Sequence, residues 1–102
     1  MLNLDTHILV HALTGALTPK ERAQLSAHPW GVSAIVWWEM AKLVQLGRVD
    51  VDLDDHDVGR ILRTVHTWPI TLEICRAIRR LDFSGDPADE LIAATSLVQD
   101  VP

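Results

Sequence analysis

The chain has 102 residues, is 48% hydrophobic and 23% charged, and carries a net charge of −5. That is enough apolar material for one core and too little Gly and Pro, five of each, for a low-complexity chain. The acidity argues against a general nucleic-acid binder, which is normally basic. The single cysteine, Cys75, excludes an internal disulfide, and no apolar run approaches the roughly eighteen residues of a membrane span. Met1–Asp5 lacks the basic region of a signal peptide. Residues 1–102 therefore read as one cytoplasmic domain with no membrane part.

Met1 to Asp5 reads as a short buried strand, and Ile8 to Leu13 as a short helix stopping at Thr14-Gly15. Thr18-Pro19-Lys20-Glu21 is a strong helix start, with Thr18 as N-cap, Pro19 at the first position and Glu21 closing a capping box. That helix should run to about Ala27, ahead of His28-Pro29. Trp30 to Val32 is a second strand, and Ser33 caps a helix ending near Gly47. The periodicity of this helix puts Ile35, Trp38 and Ala41 on one face, flanked by Ala34, Trp37 and Val44.

Asp50 to Asp57 forms a solvated acidic connector, after which Asp54 or Asp55 caps a helix through Val58, Ile61, Leu62 and Val65. Thr67 to Ile70 reads as a third strand, and Thr71 caps a helix carrying Leu72, Cys75, Ile78 and Leu81. Cys75 is expected to be a small core residue. Asp86-Pro87-Ala88-Asp89 opens the last helix, with Leu91, Ile92, Ala94, Thr95 and Val98, and Val101-Pro102 leads toward another strand. Strands alternating with helices predict a parallel α/β sheet, in which ligands bind beyond the carboxyl ends of the strands.

Asp outnumbers Glu ten to four, and oxygen-rich side chains are the ligands of Mg²⁺ and Mn²⁺. Asp5, Glu39, Asp86 and Asp89 stand at element starts or inside an apolar helix rather than scattered on surfaces. Glu39, between Trp38 and Met40, needs a compensating partner. Either Lys42, three residues on, pairs with it, or a metal does. Asp86 suits an N-cap and Asp89 the third helical position, roles compatible with a further ligand on the free oxygen.

Other patterns carry less. His7 and His11 have the spacing of paired zinc ligands, but Ile8 stands where a zinc protease needs Glu. Asp50, Asp52 and Asp54 open like a calcium loop, but Asp55 replaces the required glycine and Ile61 the closing acid. Arg76, Arg79 and Arg80 form either a basic rim or a solvated face. Trp30, Trp37 and Trp38 are either core or interface.

Leu4-Asp5-Thr6-His7, Trp30-Gly31-Val32-Ser33-Ala34 leading to Trp38-Glu39-Met40-Ala41-Lys42, and Gly85-Asp86-Pro87-Ala88-Asp89 with Leu91-Ile92-Ala93-Ala94-Thr95 together resemble the PIN domain, in register and over essentially the whole chain. The combination is similar to the VapC-type ribonuclease toxins of bacterial toxin–antitoxin pairs. The resemblance implies a three-layer α/β/α fold with a small parallel sheet. It also implies Mg²⁺- or Mn²⁺-dependent hydrolysis of RNA to 5′-phosphate products, a cognate antitoxin and a homodimer. Asp5, Glu39 and Asp89 would hold the metal, with Thr6, Ser33 and Asp86 as accessory residues. Glu90 departs from the arginine common after the last acid. Family members also continue past the position of Pro102 into a strand bearing a fourth acid, for which Asp100 lies too early. The chain is thus expected to be a C-terminally shortened PIN-like domain lacking its last strand. A PIN-fold binding module without catalysis is the alternative expectation.

Overall fold

The computed structural model describes residues 1–102 and contains three short parallel strands and six helices. The strands are β1 (Leu2–Asn3), β2 (Trp30–Ser33) and β3 (His66–Trp68), in the spatial order β1-β2-β3. Leu2 pairs with Trp30 and Asn3 with Gly31, while Gly31, Val32 and Ser33 pair with His66, Thr67 and Trp68. The helices are α1 (Thr6–Thr14), α2 (Pro19–Ser26), α3 (Ala34–Gln45), α4 (His56–Leu62), α5 (Leu72–Ala77) and α6 (Pro87–Gln99). A 3-10 turn, Ile78–Arg80, follows α5. This is the expected α/β architecture.

Side chains alternate across a strand, so the sheet has two different faces. Leu2, Leu4, Trp30 and Val32 point to one side, where they join Leu9, Val10, Leu25, Val36, Met40 and Val65 in the main core. Asn3, on the opposite face, reaches α6 and donates to the Ile92 carbonyl at 2.9 Å and the Ser96 hydroxyl at 2.8 Å. α6 covers this second face and builds a smaller cluster with α5 from Ile74, Ala77 and Ala94. At the outer edge of β1, the Asn3 N–H donates to the Pro102 carbonyl at 3.2 Å. No helix is long and apolar enough to cross a membrane.

The helix boundaries follow local capping. Thr18 and Glu21 form the reciprocal capping box, Asp55 accepts from the amides of Asp57 and Val58, and Thr71 accepts from Ile74. Gly15 ends α1 at φ 76°, a left-handed conformation for which glycine is suited. The acidic connector is only partly solvated. Its five aspartates are exposed, but Val51 is buried between them and Leu53 packs on the core.

Three further expectations need correction. In α3 the buried stripe is Val36 and Met40, whereas Trp38 and Ala41 are exposed and Ile35 is half-buried. The helix is apolar nearly all round, so its own periodicity does not select the face; the main core does. In α5 the inward residues are Ile74 and Ala77, so Cys75 is exposed rather than core, and Leu72 is 65% exposed. The third strand is His66–Trp68 rather than Thr67–Ile70, because Pro69 has no N–H with which to extend the ladder.

Candidate active site

The carboxyl ends of β1 and β2 lead directly into helices α1 and α3, and the acidic residues of interest sit at those junctions and at the start of α6. Asp5 is the N-cap of α1, exposed, with Oδ1 accepting from the Ile8 N–H at 2.9 Å. Thr6, the next residue, is 1% exposed and turns its hydroxyl to Glu39 Oε1 on α3. Ser33, equally buried, ends β2 and caps α3 through a long contact to the Ile35 N–H at 3.4 Å. Asp86 is the N-cap of α6, with Oδ1 accepting from the Asp89 N–H at 2.9 Å.

Glu39 is half-buried, and Lys42 does not neutralise it. The Lys42 ammonium bonds Gln45 Oε1 at 3.0 Å and stands 6.0 Å from the centre of the Trp38 ring. The one salt bridge in the chain joins Arg60 and Asp57. Glu39 is therefore compensated inside the protein by a hydroxyl, a weaker partner for a carboxylate than a cation.

Glu39 and Asp86 border the same cleft, of about 480 Å³, whose remaining lining is Ile35, Trp38, Pro87 and Ala88. Two walls meet there, the outer side of α3 and the first turn of α6. The structure thus bonds Thr6 to Glu39 and Asp86 to the Asp89 backbone, and sets Glu39 and Asp86 on one cleft. Asp5 adjoins Thr6 but lies outside the cleft lining, as does the Asp89 carboxylate, and Ser33 lies beneath the surface. No three His, Cys, Asp or Glu side chains converge closely enough in this arrangement to hold an ion.

The chemistry of the donors nonetheless suits a hard divalent cation. Asp5, Glu39 and Asp86 each have one oxygen held by a protein donor and the other without a protein partner. The Asp89 carboxylate has no hydrogen-bond donor within the chain. A carboxylate oriented through one oxygen and open at the other is how oxygen ligands are commonly presented.

Two contributors escaped the sequence. Asn3 ties β1 to α6, and so links the strand leading to Asp5 with the helix bearing Asp86 and Asp89. Its Oδ1 is buried without a partner. A lone amide between Leu2 and Leu4 was the available signal. Trp38 was assigned to a helix face but not to a cleft. Of the remaining tryptophans, Trp30 and Trp37 donate to the Leu25 carbonyl at 2.7 Å and the Thr67 hydroxyl at 2.9 Å, and Trp68 is buried across Gly31. Arg76, Arg79 and Arg80 are exposed around α5 and its 3-10 turn, beside Glu73.

These features define a small α/β domain with a carboxylate-bordered cleft beyond its strand ends. The family model of the PIN domain matches residues 3–102, and the chain belongs to the PIN domain family. PIN domains are generally nucleases and typically use divalent metals. Among solved structures, a chain described as a toxin–antitoxin complex from Klebsiella pneumoniae is similar in fold. Its TM-score is 0.70 at 20% sequence identity, over 99% of this chain and 82% of that one. No curated protein matches the sequence.

Proposed function

We propose that the chain is an endoribonuclease toxin of VapC type, dependent on Mg²⁺ or Mn²⁺, homodimeric and neutralised by a cognate antitoxin. Asp5, Glu39 and Asp89 are the metal-holding acids, supported by Thr6, Ser33 and Asp86. The observation that carries this reading is Glu39: a half-buried carboxylate with no protein cation, fastened through one oxygen by Thr6, in a cleft shared with Asp86. Membership of a nuclease family supports the hydrolase, and the toxin–antitoxin complex among similar folds supports the antitoxin.

A bound divalent cation supplies a water of lowered pKa and offsets the charge developing at the phosphate. The protein's part is positioning. The Ile8 and Asp89 amides and the Thr6 hydroxyl restrain Asp5, Asp86 and Glu39, so little reorganisation is left for the reaction. The uncompensated negative charge concentrates cations and, without them, repels a phosphodiester. No side-chain nucleophile is required.

The test is incubation of the chain with structured RNA and Mg²⁺ or Mn²⁺. Cleavage should be abolished by EDTA and by Asp5→Asn, a change that keeps a good N-cap on α1 and so spares the fold. Cleavage indifferent to both would sink the proposal. A second reading, a PIN-fold module that binds without turnover, is favoured by the lack of a converged three-residue ligand group. Robust metal-dependent turnover would exclude it.

A further inference from the structure

We infer that Trp38 is the platform on which a nucleobase of the bound strand stacks, placing the adjoining phosphodiester beside Glu39 and Asp86; this rests on the nuclease reading above. Trp38 is 59% exposed, and its indole N–H has no partner within the chain. The other three tryptophans are each bonded through the indole or buried, so Trp38 alone contributes little to holding the fold together. It lines the same cleft as the two carboxylates.

The groups gathered around the indole match the parts of a nucleotide. The Lys42 ammonium lies 6.0 Å from the Trp38 ring centre, and the Glu39 and Asp86 carboxylates border the same cleft as the indole. A nucleobase offers a flat π face to the indole. Its sugar–phosphate chain offers negative charge to Lys42 and, through a divalent cation held by the acids proposed above, to the Glu39 side of the cleft. Pro87 and Ala88 on the facing wall are small and apolar, leaving room for a ring without demanding hydrogen bonds. Such stacking tolerates any base, so selectivity for particular bases would have to arise elsewhere.

The experiment measures binding of a fluorescein-labelled ten-nucleotide uridine strand and of the same backbone with abasic riboses, by anisotropy with Mg²⁺. It uses the full chain and its Trp38→Phe and Trp38→Ala variants. The parent and Trp38→Phe should bind the base-bearing strand about tenfold more tightly than the abasic one, and Trp38→Ala should lose that preference. Equal base preference in parent and Trp38→Ala overturns the inference. So does Trp38→Phe behaving as Trp38→Ala, or no binding by the parent. A dimer that dissociates in sedimentation on Trp38→Ala, with base preference kept, overturns it by assigning the indole to a protein contact. RNA cleavage by the parent is scored separately. Its absence rejects the nuclease reading, while base preference is decided by binding alone.

Discussion

The hydroxyl of Thr6, on the first turn of α1, donates to the carboxylate of Glu39 on α3, joining two helices that leave different strands. Thr6 is almost fully buried, so this bond belongs to the interior as much as to the site. Thr6→Val preserves shape while stripping Glu39 of its donor. It should cost about 1–3 kcal/mol in urea unfolding, and Thr6→Ser should recover most of that. Glu39→Gln keeps an acceptor for Thr6 and should abolish metal-dependent cleavage with little change in stability. A Thr6→Val protein as stable as the parent would show that the bond is not formed in solution.

Asp86 has two separable duties, capping α6 and bordering the cleft. Asp86→Ala should destabilise by roughly 0.5–2 kcal/mol through the lost cap. Asp86→Ser restores the cap but not the carboxylate. It should unfold like the parent and still cleave RNA poorly. Full activity in the serine variant would reduce Asp86 to a capping residue.

Gly31 pairs with both neighbouring strands and lies against the Trp68 ring. A Cβ built there would stand 2.5 Å from two ring carbons, closer than atoms can pack. Gly31→Ala should therefore cost about 1–3 kcal/mol in thermal or urea unfolding. Combining it with Trp68→Leu should cost less than the two single changes summed, since the smaller side chain relieves the clash. Strict additivity would locate the strain elsewhere.

The Glu21 carboxyl is held below the usual carboxylate range, first by the Thr18 backbone N–H, then by the Thr18 side chain and the nearby His11. A carboxyl with a depressed pKa in the folded state contributes stability that is complete above its unfolded value. That contribution is lost as pH falls through the lower, folded value. The loss should begin below about pH 4.3 and be absent from Glu21→Gln, and an NMR titration of Glu21 would show the downward shift directly. The carboxyl is in contact with solvent, so the effect on unfolding should be small.

What could be read from the sequence was mostly local. Thr18, Ser33, Asp55, Thr71 and Asp86 all cap the helices expected of them, because a cap is decided within four residues. The face of α3 was not readable. Ile35, Val36, Trp37, Trp38 and Met40 are all apolar, and the choice of Val36 and Met40 as core was made by residues far along the chain. Cys75 faces solvent for the same reason, α5 having turned Ile74 and Ala77 inward. At the site, the residue types announced an acidic centre. The Thr6–Glu39 bond, the sharing of one cleft by Glu39 and Asp86 and the Asn3 tie to α6 are long-range relationships that no spacing encodes.

The all-parallel sheet has a kinetic consequence. Leu2 must find Trp30, and Gly31 must find His66, each across an intervening stretch of helix, so no hairpin is available to start the sheet cheaply. Capping alone cannot assemble the cleft, because Thr6, Glu39 and Asp86 stand on α1, on α3 and at the start of α6 and come together only through tertiary packing. A nascent or partly folded chain would then display its acids separately, with no shared cleft between them.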